Sequence, residues 1–174
     1  LANTTGTYNV AVGQGALESN TTNSYSVAIG VGALQTNTAA SMTAVGRNAL
    51  NLNTTGTQNT AVGHKALEAN TTASYNTAVG SGAMTSNVTG TENTAFGLNA
   101  LYASLASYNT AIGSQCLDAL TTGGFNTGVG RGVLSEVTTG NNNTCVGYNA
   151  GFNITSDANT LVGYDAGVSM TTGS

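Results

Sequence analysis

The chain has 174 residues, a formal net charge of −4, only 6% charged residues and no proline. Three basic side chains leave no footprint for nucleic acid, and no apolar run reaches the roughly 18–20 residues of a bilayer-spanning helix. Abundant Val, Ile and Thr at fixed spacing exclude a disordered chain, and missing proline suits a backbone whose N–H groups are nearly all used in ladders.

The chain opens on Leu1-Ala2-Asn3-Thr4-Thr5-Gly6, which reads as the second half of a unit, and Met170-Thr171-Thr172-Gly173-Ser174 stops at the same phase. We expect residues 1–174 to be one repeat domain, a window on a longer array or a subunit that stacks end to end. The first full unit closes on Gly13. The same closing glycine follows at Gly30, Gly46, Gly63, Gly80, Gly97, Gly113, Gly130, Gly147 and Gly163, at intervals of 16 or 17 residues. Ten copies at one period predict one supersecondary element stacked on itself. The expected fold is all-β: a parallel β-solenoid, or β-roll, of ten coils.

Within each unit the positions form columns. The residue before the closing glycine is Val, Ile or Phe throughout, from Val12 to Val162, and is expected to form a strand with its side chain inward. One place earlier stand small residues, mostly Ala. Two places before the Val column stand Val10, Val27 and then eight threonines from Thr43 to Thr160, on the same face as the valines because strands alternate with period two. The next place back is Asn in eight of ten units, including Asn59, Asn76, Asn93, Asn109, Asn126, Asn143 and Asn159. This column predicts an amide ladder at a corner, each side chain bonding its neighbour one rung away.

After the glycine, Ala-Leu pairs such as Ala66-Leu67 predict a second short strand, and in the last two units the large side chain moves one place, as in Ala150-Gly151-Phe152. A polar arm such as Asn53-Thr54-Thr55-Gly56 carries the length variation and is expected to be an edge loop. Helical repeats do not fit: the unit is too short for a helix, a strand and two turns, and β-branched residues dominate. A thin coil buries little, so a homotrimer of rods is expected, with one buried face inside the coil and one between chains, and a lone solenoid is the alternative.

Units of the form N-T-A-V-G-x-x-A-L-x-x-N-T-T-G resemble the repeat arrays of phage tail fibres and related surface fibres. The segment Ser26-Val27-Ala28-Ile29-Gly30 is similar to the head repeat of trimeric autotransporter adhesins. The resemblance implies an extracellular structural or adhesive fibre on a virion or cell surface, acting as a rigid spacer and contacting a glycan or receptor.

Sites for chemistry are sparse. His64, the only histidine, sits in a column that tolerates any residue and is expected to be exposed. Cys116 and Cys145 replace Ala in two different columns and are expected to be small buried residues, two rungs apart and too distant for a disulfide. Glu18, Glu68 and Asp118 share a column but are separated by uncharged units, so no acid–base pair is expected and the chain is not read as an enzyme. Asp157 and Asp165 are the only candidates for calcium, and no cofactor or metal is expected. Seven N-x-Thr sequons begin at Asn3, Asn20, Asn53, Asn70, Asn87, Asn142 and Asn153. Tyr8, Tyr25, Tyr75, Tyr108 and Phe125 share a column five before the glycine, with Tyr148 and Tyr164 just after it; these aromatics either stiffen a corner or contact sugars. The threonine column raises an alternative, an ice-binding solenoid. Self-association, as a trimer or an end-to-end filament, is the expected partnership, with no nucleic acid and no membrane insertion.

Overall fold

A computed structural model describes residues 3–170. Leu1-Ala2 and residues 171–174, on which the expectation of severed ends largely rests, lie outside the described residues. Each repeat contributes one three-residue strand: β1 Val10–Val12, β2 Val27–Ile29, β3 Thr43–Val45, β4 Thr60–Val62, β5 Thr77–Val79, β6 Thr94–Phe96, β7 Thr110–Ile112, β8 Thr127–Val129, β9 Thr144–Val146 and β10 Thr160–Val162. They form a single parallel sheet in sequence order, each strand pairing with the next unit's strand in equivalent register. The chain is therefore an all-β parallel solenoid. At about 4.8 Å per rung the ten strands span about 43 Å.

The closing glycines stack along the axis. Gly63 has φ +139°, and a β-carbon placed there would lie 2.6 Å from the Gly80 carbonyl carbon. A left-handed backbone and a main-chain neighbour at that range both demand glycine.

The facing of the strand is opposite to the sequence expectation. The small central residue points inward: Ala28, Ala44, Ala61, Ala78, Ala95 and Ala111 are fully buried. The Val column points out, with Val12, Ile29, Phe96, Ile112, Val146 and Val162 exposed. The cause is space. The coil interior holds the strand Ala, the Ala-Leu pair from the facing turn and two Asn side chains, which leaves no room for a β-branched residue at the strand centre.

Among the described residues the expected second strand is also absent. The Ala-Leu segment is a run of turns, and its large residue adopts left-handed backbone, as at Leu67 (φ 52°) and Met84 (φ 53°). Such a conformation costs a non-glycine residue roughly 1–2 kcal/mol. Complete burial of a leucine, as at Leu67, returns about 1.5–3 kcal/mol, so the turn is tolerated.

The last units show the same constraint from the other side. Gly151 and Gly167 take the leucine position, also left-handed at φ +63° and +62°. The strand centre then enlarges to Cys145 and Leu161. A β-carbon at Gly151 would sit 2.9 Å from the Cys145 sulfur and 3.3 Å from Leu161 Cδ1. Volume lost in the turn is refilled from the strand. Gly128 reverses the exchange: there the strand centre shrinks where Cys116 and Val133 replace turn alanines, and an added β-carbon would meet the Cys116 sulfur at 2.6 Å. Interior volume per rung is held nearly constant, as close packing requires.

Two asparagine columns satisfy the polar part of the interior. The expected column forms, with a modification: the main-chain N–H of each Asn donates to the side-chain oxygen one rung back. Asn76 N donates to Asn59 Oδ1 at 2.9 Å and Asn93 N to Asn76 Oδ1 at 3.0 Å, and the pattern continues through Asn109, Asn126, Asn143 and Asn159. The amide nitrogens cross to the polar arm, as Asn76 Nδ2 does to Gly90 O at 2.9 Å. The second column went unrecognised in the arm: Asn20, Asn37, Asn53, Asn70 and Asn87 are buried. Their amides bond one another directly, Asn53 Nδ2 to Asn37 Oδ1 at 2.7 Å and Asn70 Nδ2 to Asn53 Oδ1 at 2.6 Å. The start of the arm is thus interior rather than edge loop. Beyond Ser104 this column turns apolar as Leu120, Val137 and Ile154. Four of the seven sequons, at Asn20, Asn53, Asn70 and Asn87, are consumed by this ladder.

Candidate functional site

With the strand centre inward, the ranks at the aromatic, Thr and Val columns all lie on one outer face. Glu92 is the only charged residue in the three ranks together. Tyr8, Tyr25, Tyr75, Tyr108 and Phe125 edge this face, with exposures from 47% for Tyr108 to 76% for Tyr8. Each has left-handed backbone, φ 59° to 64°, which throws the ring clear of the coil. Where aromatics occupy adjacent rungs they stack: Tyr8 on Tyr25 with centroids 5.2 Å apart, and Tyr108 on Phe125 at 4.8 Å.

Tyr148 and Tyr164 belong elsewhere. They stack on each other, centroids 5.2 Å apart, on the turn face. The seven aromatic candidates are thus two separate sets, and the structure does not bring them together. The turn face also carries eight of the ten charged residues: Arg47, Arg131, Lys65, Asp165, Glu18, Glu68, Asp118 and Glu136. His64 lies here and is exposed.

Polar groups on the turn face pair between rungs. Gln35 Nε2 donates to Glu18 Oε2 at 2.6 Å, and Asn51 Nδ2 donates to Gln35 Oε1 at 3.1 Å. Glu68 accepts from Asn48 Nδ2 at 3.1 Å and pairs with Lys65 at 3.2 Å. Around the seventh to ninth rungs the pairing is incomplete. A groove of about 280 Å³ there is lined by residues including Gln115, Asp118, Arg131, Glu136, Tyr148 and Phe152. Arg131 Nη1 donates to Tyr148 Oη at 2.9 Å, and its guanidinium lies 5.6 Å from the Tyr148 ring centre. Asp118 Oδ1 is buried with no hydrogen-bond partner. Burial pushes the Asp118 carboxyl up from its usual range, and the nearby Glu136 carboxylate adds to the shift. Sequence reasoning missed this groove because its walls come from separate columns on successive rungs.

Asp157 does not meet Asp165 in a calcium site; it accepts the Asn141 N–H at 2.7 Å. Among the described residues no group of three or more His, Cys, Asp or Glu could hold a metal. Cys116 and Cys145 are free and buried. Burial pushes their thiols from 9.0 up to about 12 and about 11. A raised folded-state value means the native state resists thiolate formation. Stability from this source is fully present below pH 9 and falls as pH rises toward 11–12. We expect native protein to resist iodoacetamide at pH 8, measured by intact mass, while the unfolded chain takes up two labels.

No family model, curated protein or solved structure matches the chain.

Proposed function

We propose that this chain is a structural fibre segment, on a virion or cell surface, whose strand face, charged only at Glu92, packs against further copies of itself, three chains sharing an axis along the rungs. The observation that carries this reading is the partition of charge. The strand face has one charged residue among its three ranks and a line of exposed or half-buried Val, Ile and Phe beside the threonines, while the turn face carries eight of the ten charges. Contiguous exposed apolar surface of this kind marks an association site. The strip is about 43 Å long and, with five residues at about 3.3 Å each way across, about 13 Å wide. Its flat area of about 600 Å², before side-chain relief is counted, would be divided between two neighbours in a trimer, about 300 Å² towards each, so the assembly relies on both contacts together. A strip this narrow lets three copies close around one axis, as the resemblance to trimeric fibres implies. The turn face then points outward as the surface displayed to a glycan or receptor.

Sedimentation tests this reading. The 17.2 kDa chain should sediment with the mass of three chains. Val79→Glu, on the strand face, should reduce it to one chain, and His64→Glu on the turn face should leave it unchanged. A wild-type monomer at micromolar concentration contradicts the proposal.

The second reading, ice binding, is favoured by one observation: eight threonines stand outward in register along the sheet. Against it, Phe96, Ile29 and the corner aromatics roughen the face that would meet ice. Thermal hysteresis in a monomeric sample would favour this reading over the fibre.

A further inference from the structure

We propose that the groove around Arg131 is a subsite for one neutral pyranose ring of a displayed glycan. This rests on the fibre reading only for its outward orientation, because the groove is built within one chain. Its volume of about 280 Å³ falls just below the roughly 300 Å³ at which pockets for drug-sized ligands begin, which suits a single ring.

The lining selects the chemistry. Asp118 lines the groove as a carboxylate acceptor for a ligand hydroxyl. Glu136 supplies a second acceptor beside it. Arg131 uses Nη1 on Tyr148 and keeps further N–H donors, and the Gln115 and Asn149 amides add both donor and acceptor capacity. Phe152 and Tyr148 provide aromatic edges. A polyol whose every hydroxyl both donates and accepts matches such a mixed wall. An anion would meet two carboxylates, and a simple cation would meet Arg131.

The chain contains its own control. The corresponding groove at the first rungs is also opened by glycines, Gly15 and Gly32, but has no aromatic, and Glu18 and Gln35 there already satisfy each other. The later groove combines a glycine opening at Gly132 with a guanidinium and aromatic edges, which the first lacks.

Saturation-transfer NMR on the whole chain tests the proposal. The probes are methyl β-D-galactopyranoside, methyl α-D-glucopyranoside and methyl N-acetyl-β-D-glucosaminide at about 10 mM, a concentration suited to millimolar affinity, with N-acetylneuraminic acid as the anionic comparison. At least one neutral pyranoside should bind, and Asp118→Asn and Arg131→Gln should each weaken it about tenfold or more, since each removes the charge behind a hydrogen bond to the sugar. Val79→Glu should still bind, whatever happens to assembly, so failure of the subsite is read apart from failure of the fibre. Absence of binding by all three neutral probes overturns the proposal, as does binding unaltered in both groove variants or tighter binding of the anionic sugar. Unchanged melting temperatures identify the variants as folded.

Discussion

Gly63→Ala is expected to break the rod in the middle. The new methyl group would meet the main chain of Gly80 at 2.6 Å, and alanine would have to adopt φ +139°. Neither problem can be relieved by a rotamer change, because the obstacle is backbone one rung away. Strain of this type costs about 1–3 kcal/mol, and the steric shift adds a similar amount, so a loss of about 3–5 kcal/mol is expected. In a stack held by nearest-neighbour contacts the damage should stay local. Hydrogen exchange should accelerate at amides that cross the junction, such as Gly63 N to Val45 O and Gly80 N to Val62 O, while rungs near either end keep their protection. Uniform protection across the junction would mean that the closing glycines do not stack as described.

Asn76→Ala is the second large effect. The substitution removes the acceptor of the Asn93 N–H and the donor to Gly90 O. Gly90 O retains a partner in Asn87 Nδ2 at 2.9 Å, so the lasting defect is one buried N–H without an acceptor and a small void. That costs about 2–4 kcal/mol. Gln58→Ala, one rung lower on the exposed aromatic column, should change stability by less than about 0.5 kcal/mol. Urea midpoints of the two variants compare them directly; equal shifts would show that the Asn column does not carry main-chain hydrogen bonds.

The period, the closing-glycine column and one Asn ladder were legible in the sequence because each repeats a residue type whose physics is unusual: left-handed freedom, or a side chain that mimics the backbone. The facing of Val and Ala was not legible from apolarity. Val62 and Ala61 are both apolar, alternation separates them, and only the interior volume decides which turns in. The mostly small Ala column held that signal, and Thr sharing a face with Val pointed the same way. Leu67 suggested a strand because no local preference announces a leucine in left-handed backbone; packing overrides it there. The second Asn ladder was hidden among sequons in a polar arm, where Asn70 looks like surface. The groove joins Asp118, Arg131 and Tyr148 from three successive rungs, so it exists only once the coils are stacked.

Inversion of the strand face changes what the repeat is for. A valine column buried in the coil would have used up the apolar surface of the chain. Turned outward, it leaves a strip with little charge beside a turn face that has nearly all of it, and that contrast underlies both the assembly and the display surface proposed here.

Interchain distances between spin labels test this arrangement most directly. Thr77→Cys places a label on the strand face and Ser81→Cys places one on the turn face four residues later; the buried native thiols should not label. Packed strand faces should hold the Thr77 labels of neighbouring chains within about 10–20 Å, the range for facing sheets with label linkers added, and the Ser81 labels distinctly farther apart. Short distances at Ser81 with long ones at Thr77, or no interchain coupling at either site, would contradict the account.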